Sequence, residues 1–376
     1  YYLAKQGHKT VLKEAMPKLG GQLQYGIPSY RLPREVVDRE AGYLQDAGVK
    51  VETDCRVEDP KALLKEYDAV LMAIGTHMGV RLPMEGNDLP GVLLNADFLQ
   101  NAAMGKRTGM GKRVIVLGGG NVAFDCARTA VRLGAEEIHL ACLEARENML
   151  ADDEEIEQAQ EEGIHVHPAH TFERICGTDH VTGVEFCNVK SFTFDENRRA
   201  VIEKEEGSNH VIEGDTVIFA VGQRAQITAD AGLELGRGNS IAVKDESLAT
   251  SVDGIFACGD AVYGTKTVIQ GVASGREAAS EIDRYLGGDG DISEVLAPVQ
   301  EKETWIGKIE GFGYLERAKE QFVPVEERRD NFDPISSGIC DAEICGEAGR
   351  CLQCDLRFNI TGHRLWSDYT DQEVAE

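Results

Sequence analysis

Two stretches of the chain repeat one order of helical and strand patterns. The first runs from the helix-like opening YYLAKQGHK through KTVLKEA to the apolar run YDAVLMAIGTH. The second runs from KRVIVLGGG through a helical pattern and IHLACLE to GDTVIFAVGQR. In both, a helix leads into a strand that ends in an acid, Glu14 or Glu144. Short apolar runs that alternate with helices are typical of buried parallel strands, so the pattern predicts an α/β protein in which one nucleotide-binding unit occurs twice.

The segments between these units predict the domain organisation. LPMEGNDLPGV is rich in Gly and Pro and suits a crossing between domains. TSVDGIFACGDA and the helical run that follows it read as a return to the first domain, which makes that domain discontinuous. We predict two Rossmann-like, three-layer dinucleotide-binding domains and a small cysteine-rich tail. Their ranges are 1–100 with 240–290 for the first domain, 101–239 for the second, and 291–376 for an acidic linker and the tail.

Length and charge narrow the class of protein. The chain has 376 residues, and single cores rarely exceed about 250–300 residues, so more than one domain is expected. With 39 Lys and Arg against 65 Asp and Glu, the formal net charge is -26, which disfavours binding to nucleic acid. The longest apolar runs are far shorter than the ~20 residues that span a bilayer. We expect a cytoplasmic protein without direct membrane insertion.

The second unit carries a glycine motif in the correct context. VIVLGGGNVAFD places Gly118, Gly120 and Ala123 as G-x-G-x-x-A between a strand and a helix. The glycines allow a tight turn and close approach of a pyrophosphate, which is favoured at a helix N-terminus. The alternative is a glycine-rich turn without a ligand. The candidate residues for NAD are Gly118, Gly120, Asn121, Val122, Ala123, Glu144, Arg146, Val221 and Gly222.

Glu144 decides the expected nucleotide. It lies at the end of the next strand, where a carboxylate can accept hydrogen bonds from the adenosine ribose hydroxyls. A 2′-phosphate would meet like charge there, so NADH is favoured over NADPH. Arg146, two residues later, could instead turn towards a phosphate, and Glu144 could be only a solvated charge at a strand end.

The first unit contains a second set of candidate residues. Glu14 occupies the corresponding strand end and is a candidate ribose ligand. The Gly20-Gly21 pair in KLGGQLQYGIPSYRLP permits close backbone approach. Much later, Gly259 and Asp260 follow another apolar strand. The side chains that could flank a flat ring and its phosphates are Tyr25, Pro28 and Arg31.

Four separated motifs carry a resemblance to a known family. GGQLQYGIPSYRLP, GGGNVAFDCARTAVRLGA, GDTVIFAVGQ and GIFACGDAVYGTKTVIQGVASGREAA resemble the small (β) subunit of glutamate synthase and its relatives, in the family's order. These are flavoproteins with two dinucleotide-binding domains. The relatives include the nicotinamide-binding half of dihydropyrimidine dehydrogenase and the FAD/NAD(P) subunits of electron-bifurcating complexes. The resemblance covers about residues 1–290.

The resemblance implies FAD in the first unit. Glu14 would contact the adenosine ribose, Asp260 the ribitol or diphosphate, and the N-terminus of the helix near Thr267 the flavin ring. The family's first strand and FAD phosphate loop would lie before Tyr1, so we expect that the natural protein extends further and that strand edges here lack partners. The implied FAD residues are Glu14, Gly20, Gly21, Leu23, Tyr25, Arg31, Gly75, Thr76, Gly259, Asp260, Thr267, Val268 and Gln270.

Two departures from the family pattern sharpen the prediction. Relatives that use NADPH carry an Arg-Arg pair where this chain has Leu143-Glu144, which again favours NADH. The disulfide-reductase relatives carry paired cysteines beside the flavin, whereas Cys126 stands alone on a predicted helix. Reduction of a disulfide substrate is therefore not expected.

The ten cysteines fall into two groups. Six are scattered through apolar or strand-like segments and are expected to be buried free thiols. The other four form a C-x4-C-x5-C-x2-C cluster near the end, which is typical of a metal site. The presence of a flavin and the resemblance of EAGRCLQCDLR to cluster-associated segments imply a [4Fe–4S] cluster, and a structural zinc ion is the alternative. The predicted ligands are Cys340, Cys345, Cys351 and Cys354.

These patterns predict an NADH-linked FAD oxidoreductase subunit. Electrons would pass from nicotinamide through flavin to iron–sulfur clusters and to electron-accepting or electron-donating subunits of a larger redox complex. Hydride transfer between cofactors requires no catalytic side chain, so no role is assigned to His165, His167 or His170. Three alternatives remain: an NADPH-dependent glutamate synthase small subunit, an electron-bifurcating flavoprotein, and an assembly subunit that keeps the fold without FAD.

Overall fold

The computed structural model describes residues 1–194, 200–244, 247–294, 309–352 and 354. These residues form two compact units. The first unit comprises the described residues of 1–292 and 324–334, and the second comprises those of 293–323 and 335–354. Across the described ranges, every helix is too short or too polar to cross a membrane.

The strands are short, apart from one long antiparallel strand. In chain order they are β1 Val11–Lys13, β2 Lys50–Glu52, β3 Val70–Met72, β4 Met78–Gly79, β5 Val92–Leu94, β6 Arg113–Leu117, β7 Glu137–Ala141, β8 His165–His167, β9 His170–Gly177, β10 Val181–Phe194, β11 Ala200–Lys204, β12 His210–Glu213, β13 Thr216–Phe219, β14 Gln223–Arg224, β15 Ile255–Ala257, β16 Gln321–Phe322 and β17 Ser336–Gly338.

The helices range from single turns to one of 18 residues, Val268–Tyr285. In chain order they are α1 Tyr2–Lys5, α2 Gln22–Tyr25, α3 Arg34–Asp46, α4 Asn95–Ala103, α5 Asn121–Arg132, α6 Asp153–Glu161, α7 Asp260–Tyr263, α8 Val268–Tyr285, α9 Val325–Arg328 and α10 Asp341–Gly349.

A five-stranded parallel sheet forms the centre of the second nucleotide region. Its strand order is β5-β13-β6-β7-β8. All four residues of β13 are buried, as expected for a central strand that is covered on both faces. β5 belongs to this sheet, so the sheet begins before residue 101, the start predicted for the second domain.

The central strand β6 separates two hydrophobic cores. Val114 and Val116 pack into one core with α4, α5 and α6. Ile115 and Leu117 pack into the other, with residues of β9 and β10. Because alternate residues of a strand face opposite sides, these contacts define three layers: helices, the parallel sheet and the antiparallel sheet of β9 to β12. The predicted three-layer α/β architecture is confirmed here.

The first nucleotide region contains two separate parallel strand pairs. β1 pairs with β2, and β3 pairs with β15. Among the described residues, no strand joins the two pairs into one sheet. The core beside β3 and β15 includes residues from the 225–262 stretch. The chain therefore does return to this region after the second one.

The two connections between the nucleotide regions run side by side. β4 and β14 form a short antiparallel pair, in which Met78 lies opposite Arg224 and Gly79 opposite Gln223. The Val80 N–H donates to the Gly222 carbonyl oxygen at 3.2 Å. The crossing towards the second region therefore lies just before LPMEGNDLPGV, whose Leu82 and Leu89 already pack against the second region's core.

The second unit is small and carries the cysteine segment. β16 and β17 form an antiparallel pair. α10 follows, and a carboxylate oxygen of Glu347 accepts a hydrogen bond from the Ala318 N–H. A side chain at Gly349 would overlap Ile309, so the end of α10 packs closely on that residue.

Candidate functional site

The glycine loop after β6 has a shape that packing enforces. Gly118 has φ +144°, and a Cβ there would overlap the Ala220 carbonyl oxygen. A Cβ on Gly119 would lie 2.7 Å from the Cβ of Cys142. Around Gly120, by contrast, nothing lies within 4 Å of the Cβ position. The loop is thus fixed against its neighbours on one side and open at Gly120, directly before α5.

This open side suits a dinucleotide phosphate. Gly120 is the N-cap residue of α5 and provides no side-chain cap, and in the first turn the Ala123 N–H donates to the Gly120 carbonyl oxygen at 2.8 Å. Free N–H groups and the helix dipole favour an anion at this position. The amide of Asn121 is held by Asp152, with Nδ2 to Oδ2 at 3.0 Å and the Asp152 N–H to Oδ1 at 3.0 Å. That pair ties the start of α5 to the segment before α6.

The predicted nucleotide residues of the second region come together around this loop. The Glu144 carboxylate lies beside Gly119, with Oε2 3.1 Å from the Cβ position there. Val122 packs against the helix-side core, and Val221 against the opposite core. Gly222 has φ +117°. The guanidinium of Arg146 contacts Asp153 at 2.9 Å, in an exposed ion pair.

The first region presents its glycines at the beginning of α2. Gly20 has φ +117°, and a Cβ there would lie 2.7 Å from Val37 Cγ1. Gly21 has φ +52° and precedes α2, which contains Leu23 and Tyr25. This left-handed backbone favours glycine at both positions. The carboxylate of Glu14, just after β1, accepts from the Met16 N–H at 2.8 Å.

Two predicted FAD residues have partners within the protein. Tyr25 is buried, and its hydroxyl oxygen accepts from the Lys18 N–H at 3.0 Å. The Arg31 guanidinium contacts Asp125 at 2.9 Å and Glu155 at 2.8 Å, both in the second region. Their roles as FAD ligands stay predictions.

The first region has a glycine-lined surface at the start of α2, with Gly20 and Gly21, and another at the turns that follow β3 and β15. Gly75 has φ +62° and Gly259 has φ +66°. The Gly259 N–H donates to Ser274 Oγ at 3.0 Å, which ties this turn to α8. Thr76 is buried, and its hydroxyl lies 3.1 Å from that of Thr265. A dinucleotide can approach a floor without Cβ atoms, so these residues fit an FAD site.

α8 begins beside Asp260 with a capping box. Thr267 Oγ1 accepts from the Gln270 N–H at 3.4 Å, and Gln270 Oε1 accepts from the Thr267 N–H at 3.2 Å. Asp260 Oδ1 accepts from the Lys266 N–H at 3.1 Å. Burial raises the pKa of the Asp260 carboxyl. Val268, in the first turn of α8, is exposed.

His77 is a residue of this site that the sequence analysis missed. Its Nε2 lies 3.7 Å from the Cβ position of Gly21 and 3.5 Å from that of Gly75. The Gln22 amide nitrogen donates to the Thr76 carbonyl oxygen at 2.7 Å and lies 3.4 Å from His77 Nδ1. His77 therefore links the two glycine-lined surfaces. The available signal was its position directly after the apolar strand and Gly75-Thr76.

The electrostatics of His77 favour a neutral ring. Burial lowers the pKa of its imidazole, and the negative charges of Glu14 and Asp260 oppose that change. With Nδ1 accepting from Gln22, the proton of a neutral ring lies on Nε2. The imidazole can therefore donate one hydrogen bond over the glycine surface.

The four clustered cysteines are exposed. Cys340 precedes α10, where its N–H donates to Glu343 Oε2 at 3.0 Å. Cys345 lies within α10, and Cys351 and Cys354 follow it. In the described part of the chain, no group of three or more His, Cys, Asp or Glu side chains could hold a metal ion. The residue types fit a cluster or zinc, but their arrangement does not.

The scattered cysteines are mostly buried, as predicted. Cys126, Cys142, Cys187 and Cys258 are buried, and Cys55 and Cys176 are partly buried. Burial raises the pKa of Cys142 to about 12 and that of Cys258 to about 11. Thiols with such pKa values are poor nucleophiles at neutral pH.

Comparison with curated proteins finds subunits of redox enzymes. The chain is 34% identical over 371 residues to the NADP(+)-dependent formate dehydrogenase subunit beta of Moorella thermoacetica. It is 34% identical over 400 residues to the NADPH-Fe(3+) oxidoreductase subunit beta of Geobacter sulfurreducens. These alignments cover 94% of this chain but only 52% and 59% of those relatives. The small chain of glutamate synthase [NADPH] from Escherichia coli is 34% identical over 76% of this chain and 65% of its own length.

Solved structures share the fold at low identity. FprA from Mycobacterium tuberculosis (His57Gln mutant) superposes with a TM-score of 0.65 at 16% identity, over 76% of this chain and 82% of that chain. Thioredoxin reductase from T. acidophilum gives a TM-score of 0.55 at 19% identity, over 76% of this chain and 93% of that chain. The family model described as pyridine nucleotide-disulphide oxidoreductase matches residues 1–279. The chain belongs to this family of oxidoreductases.

Proposed function

We propose that this chain is the nucleotide-binding subunit of a redox complex, in which a nicotinamide dinucleotide reduces FAD and a partner protein exchanges electrons with the flavin. The carrying observation is the presence of two glycine-lined sites in one compact unit. One lies at Gly118–Gly120 and the other at Gly21, Gly75 and Gly259. The paired crossing of β4 and β14 links the two regions.

The residues supply binding and orientation. Gly21, Gly75 and Gly259 would let FAD approach the backbone, and the Nε2–H of His77 would donate to it. Asp260 would accept hydrogen bonds from ribitol hydroxyls or lie near the diphosphate, and the N-terminus of α8 would lie near the ring. Bound FAD would supply the ability to accept a hydride and return electrons singly. No side chain needs to act as acid or base for the hydride step.

For the nicotinamide nucleotide we propose NADH. The support is Glu144, whose carboxylate lies beside Gly119 where an adenosine ribose would be. NADPH is the second candidate, because the relatives from M. thermoacetica, G. sulfurreducens and E. coli are named for NADP(+) or NADPH. Arg146 is the nearby cation that would have to leave Asp153 to bind a 2′-phosphate.

The proposal is tested on the native complex, purified anaerobically. Bound flavin is identified and quantified, and the rates of flavin reduction by NADH and NADPH are compared. We expect one FAD per chain and faster reduction by NADH. A colourless preparation would instead favour an assembly subunit, and faster reduction by NADPH would overturn the use of Glu144.

Partner and metal content form a separate proposal. The names of the relatives, each a subunit or chain of a larger enzyme, support partner subunits that donate or accept electrons. A glutamate synthase partner or a bifurcating complex would be identified by the proteins that co-purify. For the four exposed thiols of Cys340, Cys345, Cys351 and Cys354 we propose a [4Fe–4S] cluster, on the support of residue type and spacing alone. The proposal requires these thiols to come closer together than they lie in the structure. Iron and acid-labile sulfide in equal amounts support it, and stoichiometric zinc without iron contradicts it.

A further inference from the structure

A largely buried ion network joins the two nucleotide regions, with the Arg31 side chain partly exposed at its edge. We call the interface network the six side chains that exchange ion pairs there: Arg31, Asp125, Arg128, Arg132, Glu155 and Glu162. Arg31 comes from the loop between α2 and α3 in the first region. The others come from α5, from α6 and, for Glu162, from the residue directly after α6 in the second region. The sequence predicts Arg31 beside FAD phosphates, and the other five residues have no role predicted from the sequence.

Arg31 makes the direct link across the regions. Its Nη1 donates to both oxygens of Asp125, at 2.9 and 3.1 Å. Its Nε lies 2.8 Å from Glu155 Oε1. The other oxygen of Glu155 accepts from Arg128 Nη1 at 2.7 Å. Glu155 is thus shared between a guanidinium of each region.

Tyr30 adds an aromatic contact to the same link. Its ring is 1% exposed and lies against two guanidinium groups of α5, with centroid distances of 4.9 Å to Arg128 and 3.9 Å to Arg132. Both arginines also pair with the fully buried carboxylate of Glu162 at 2.7 Å. A cation–π contact is stronger when water is excluded, as it is here.

A segment distant in sequence completes the arrangement. Residues 324–334 belong to the first unit although the residues on both sides belong to the second. Arg328, in α9, lies 2.7 Å from a carboxylate oxygen of Glu161 and 3.3 Å from one of Glu162. Ser29 Oγ donates to the Phe332 carbonyl oxygen at 3.1 Å. Three stretches of chain therefore meet at one set of buried charges.

Buried ion pairs contribute little net stability but penalise alternative arrangements. Replacing such a pair by apolar groups is often neutral, whereas removing one partner leaves a buried charge uncompensated. Any rotation of one nucleotide region against the other would separate Arg31 from Asp125 and Glu155. The network therefore specifies one orientation more strongly than it stabilises the fold.

We propose that Arg31 is a positioning residue: its contacts with Asp125 and Glu155 hold the two nucleotide regions in the orientation that hydride transfer requires. The inference rests on the proposed function, because it concerns the geometry between the two nucleotide sites. Hydride transfer depends steeply on the distance and angle between donor and acceptor, and a displacement of about 1 Å can cost about 100-fold in rate. Residues 324–334 would reinforce the same orientation through Arg328.

The first test measures mechanical coupling and needs no flavin activity. Hydrogen–deuterium exchange is followed in residues 26–33 and 324–334 of the wild type, Arg31→Met and Arg328→Met. We expect each substitution to speed exchange in both segments, because they share one network. Faster exchange only in the segment that carries the substitution would overturn the inference. The control is Arg174→Met, which removes an exposed pair with Glu185 within the antiparallel sheet.

The second test separates positioning from stability in the holoprotein. In Arg31→Met we expect flavin reduction at saturating nucleotide to slow at least about tenfold, with a weaker long-wavelength charge-transfer band between nicotinamide and flavin. FAD content and the nucleotide dissociation constant should stay within about threefold of wild type, because the guanidinium of Arg31 pairs with Asp125 and Glu155. A marked loss of FAD would instead make Arg31 an FAD ligand and overturn the inference. Arg174→Met should behave as wild type.

A double variant keeps the test decisive if Arg31→Met folds poorly. Arg31→Met with Asp125→Leu removes both charges, so we expect wild-type thermal stability to return while flavin reduction stays slow. Recovery of the rate together with stability would show a merely structural role and overturn the inference. If wild-type protein bound no FAD, the proposed function would fail, while the exchange experiment would still decide whether the network couples the segments.

Discussion

The two glycine-lined sites differ in what gives them their shape. In the second region, a five-stranded sheet surrounds the loop, and atoms of Ala220 and Cys142 leave no space for side chains at Gly118 and Gly119. In the first region, two separate strand pairs end in turns that depend on left-handed glycines and on hydrogen bonds of Gln22 and Ser274. Substitutions at Gly118 and Gly119 should therefore act on the fold first, whereas loss of the His77 side chain in the first region should act on ligand binding first.

The largest effect is expected for Gly118→Ala. The new methyl group would overlap the Ala220 carbonyl oxygen, and φ +144° strains any L-residue with a side chain. We expect a loss of roughly 2–3 kcal/mol in the free energy of unfolding, measured by denaturant titration. Binding of NADH, measured by calorimetry, should fall below detection because the loop shifts.

Gly120→Ala is the matched control for that substitution. Nothing lies within 4 Å of its Cβ position, and its φ of −94° is allowed for alanine. Stability should therefore stay within about 0.5 kcal/mol of wild type. NADH should still bind more weakly, because the methyl group would lie where the pyrophosphate approaches. Equal stability of the two variants would contradict the role of packing in the second loop.

In the first region, His77→Ala tests whether a side chain of the glycine-lined site acts on FAD binding without affecting the fold. Removal of one hydrogen bond to a charged group costs about 1.5 kcal/mol, so the FAD dissociation constant should rise about tenfold. Unfolding of the apoprotein should change little, since the ring is only partly buried. The measurement is quenching of flavin fluorescence during reconstitution, with the exposed His180→Ala as control. An unchanged FAD affinity would remove His77 from the site.

A smaller effect is expected in the pH dependence of stability, to which a group of histidines in the second region contributes. In the second region His139 Nδ1 lies 2.9 Å from His167 Nε2, with Glu137 and the rings of His165, His170 and His210 nearby. Burial and the neighbouring histidines lower the pKa of His167 to about 4. Because the folded pKa lies below the ordinary value of 6.5, this contribution to stability is complete above pH 6.5 and is lost as pH falls towards 4.

The size of that loss is modest because the ring is partly exposed. We expect on the order of 1 kcal/mol between pH 7 and pH 4.5 from this group, after allowance for solvent screening. Thermal unfolding of the wild type and of His167→Gln across this range measures it. The variant should show a shallower dependence on pH, and identical slopes would contradict the assignment.

The two nucleotide regions also differ in how many of their candidate site residues can be recognised from the sequence alone. The place of Gly118, Gly120 and Glu144 around one loop could be predicted because strand, turn and helix are consecutive in sequence. Their contacts with a nucleotide stay a prediction. His77 could not be predicted, because its place in the site depends on its contact with Gly21, which is distant in sequence. Arg31 lies in a motif that the sequence shows, but its pairing with Asp125 and Glu155 depends on tertiary packing and could not be predicted. Likewise, the assignment of β5 to the sheet of the second region depended on pairing with β13, which a short apolar run does not reveal.

The smallest effect is expected for Glu144→Ser, which tests nucleotide choice within the second loop. The carboxylate lies beside Gly119 without supporting it, so the fold should tolerate the change. Loss of the ribose hydrogen bonds should weaken NADH binding about threefold to tenfold, and removal of the negative charge should strengthen NADPH binding by a similar factor. Dissociation constants of both nucleotides, measured at one ionic strength, give the ratio. Arg146→Ser serves as the opposite control, because it should weaken only NADPH. If Glu144→Ser left the ratio unchanged, the carboxylate would have no part in nucleotide choice, and the relatives' use of NADP(H) would become the better guide to this chain.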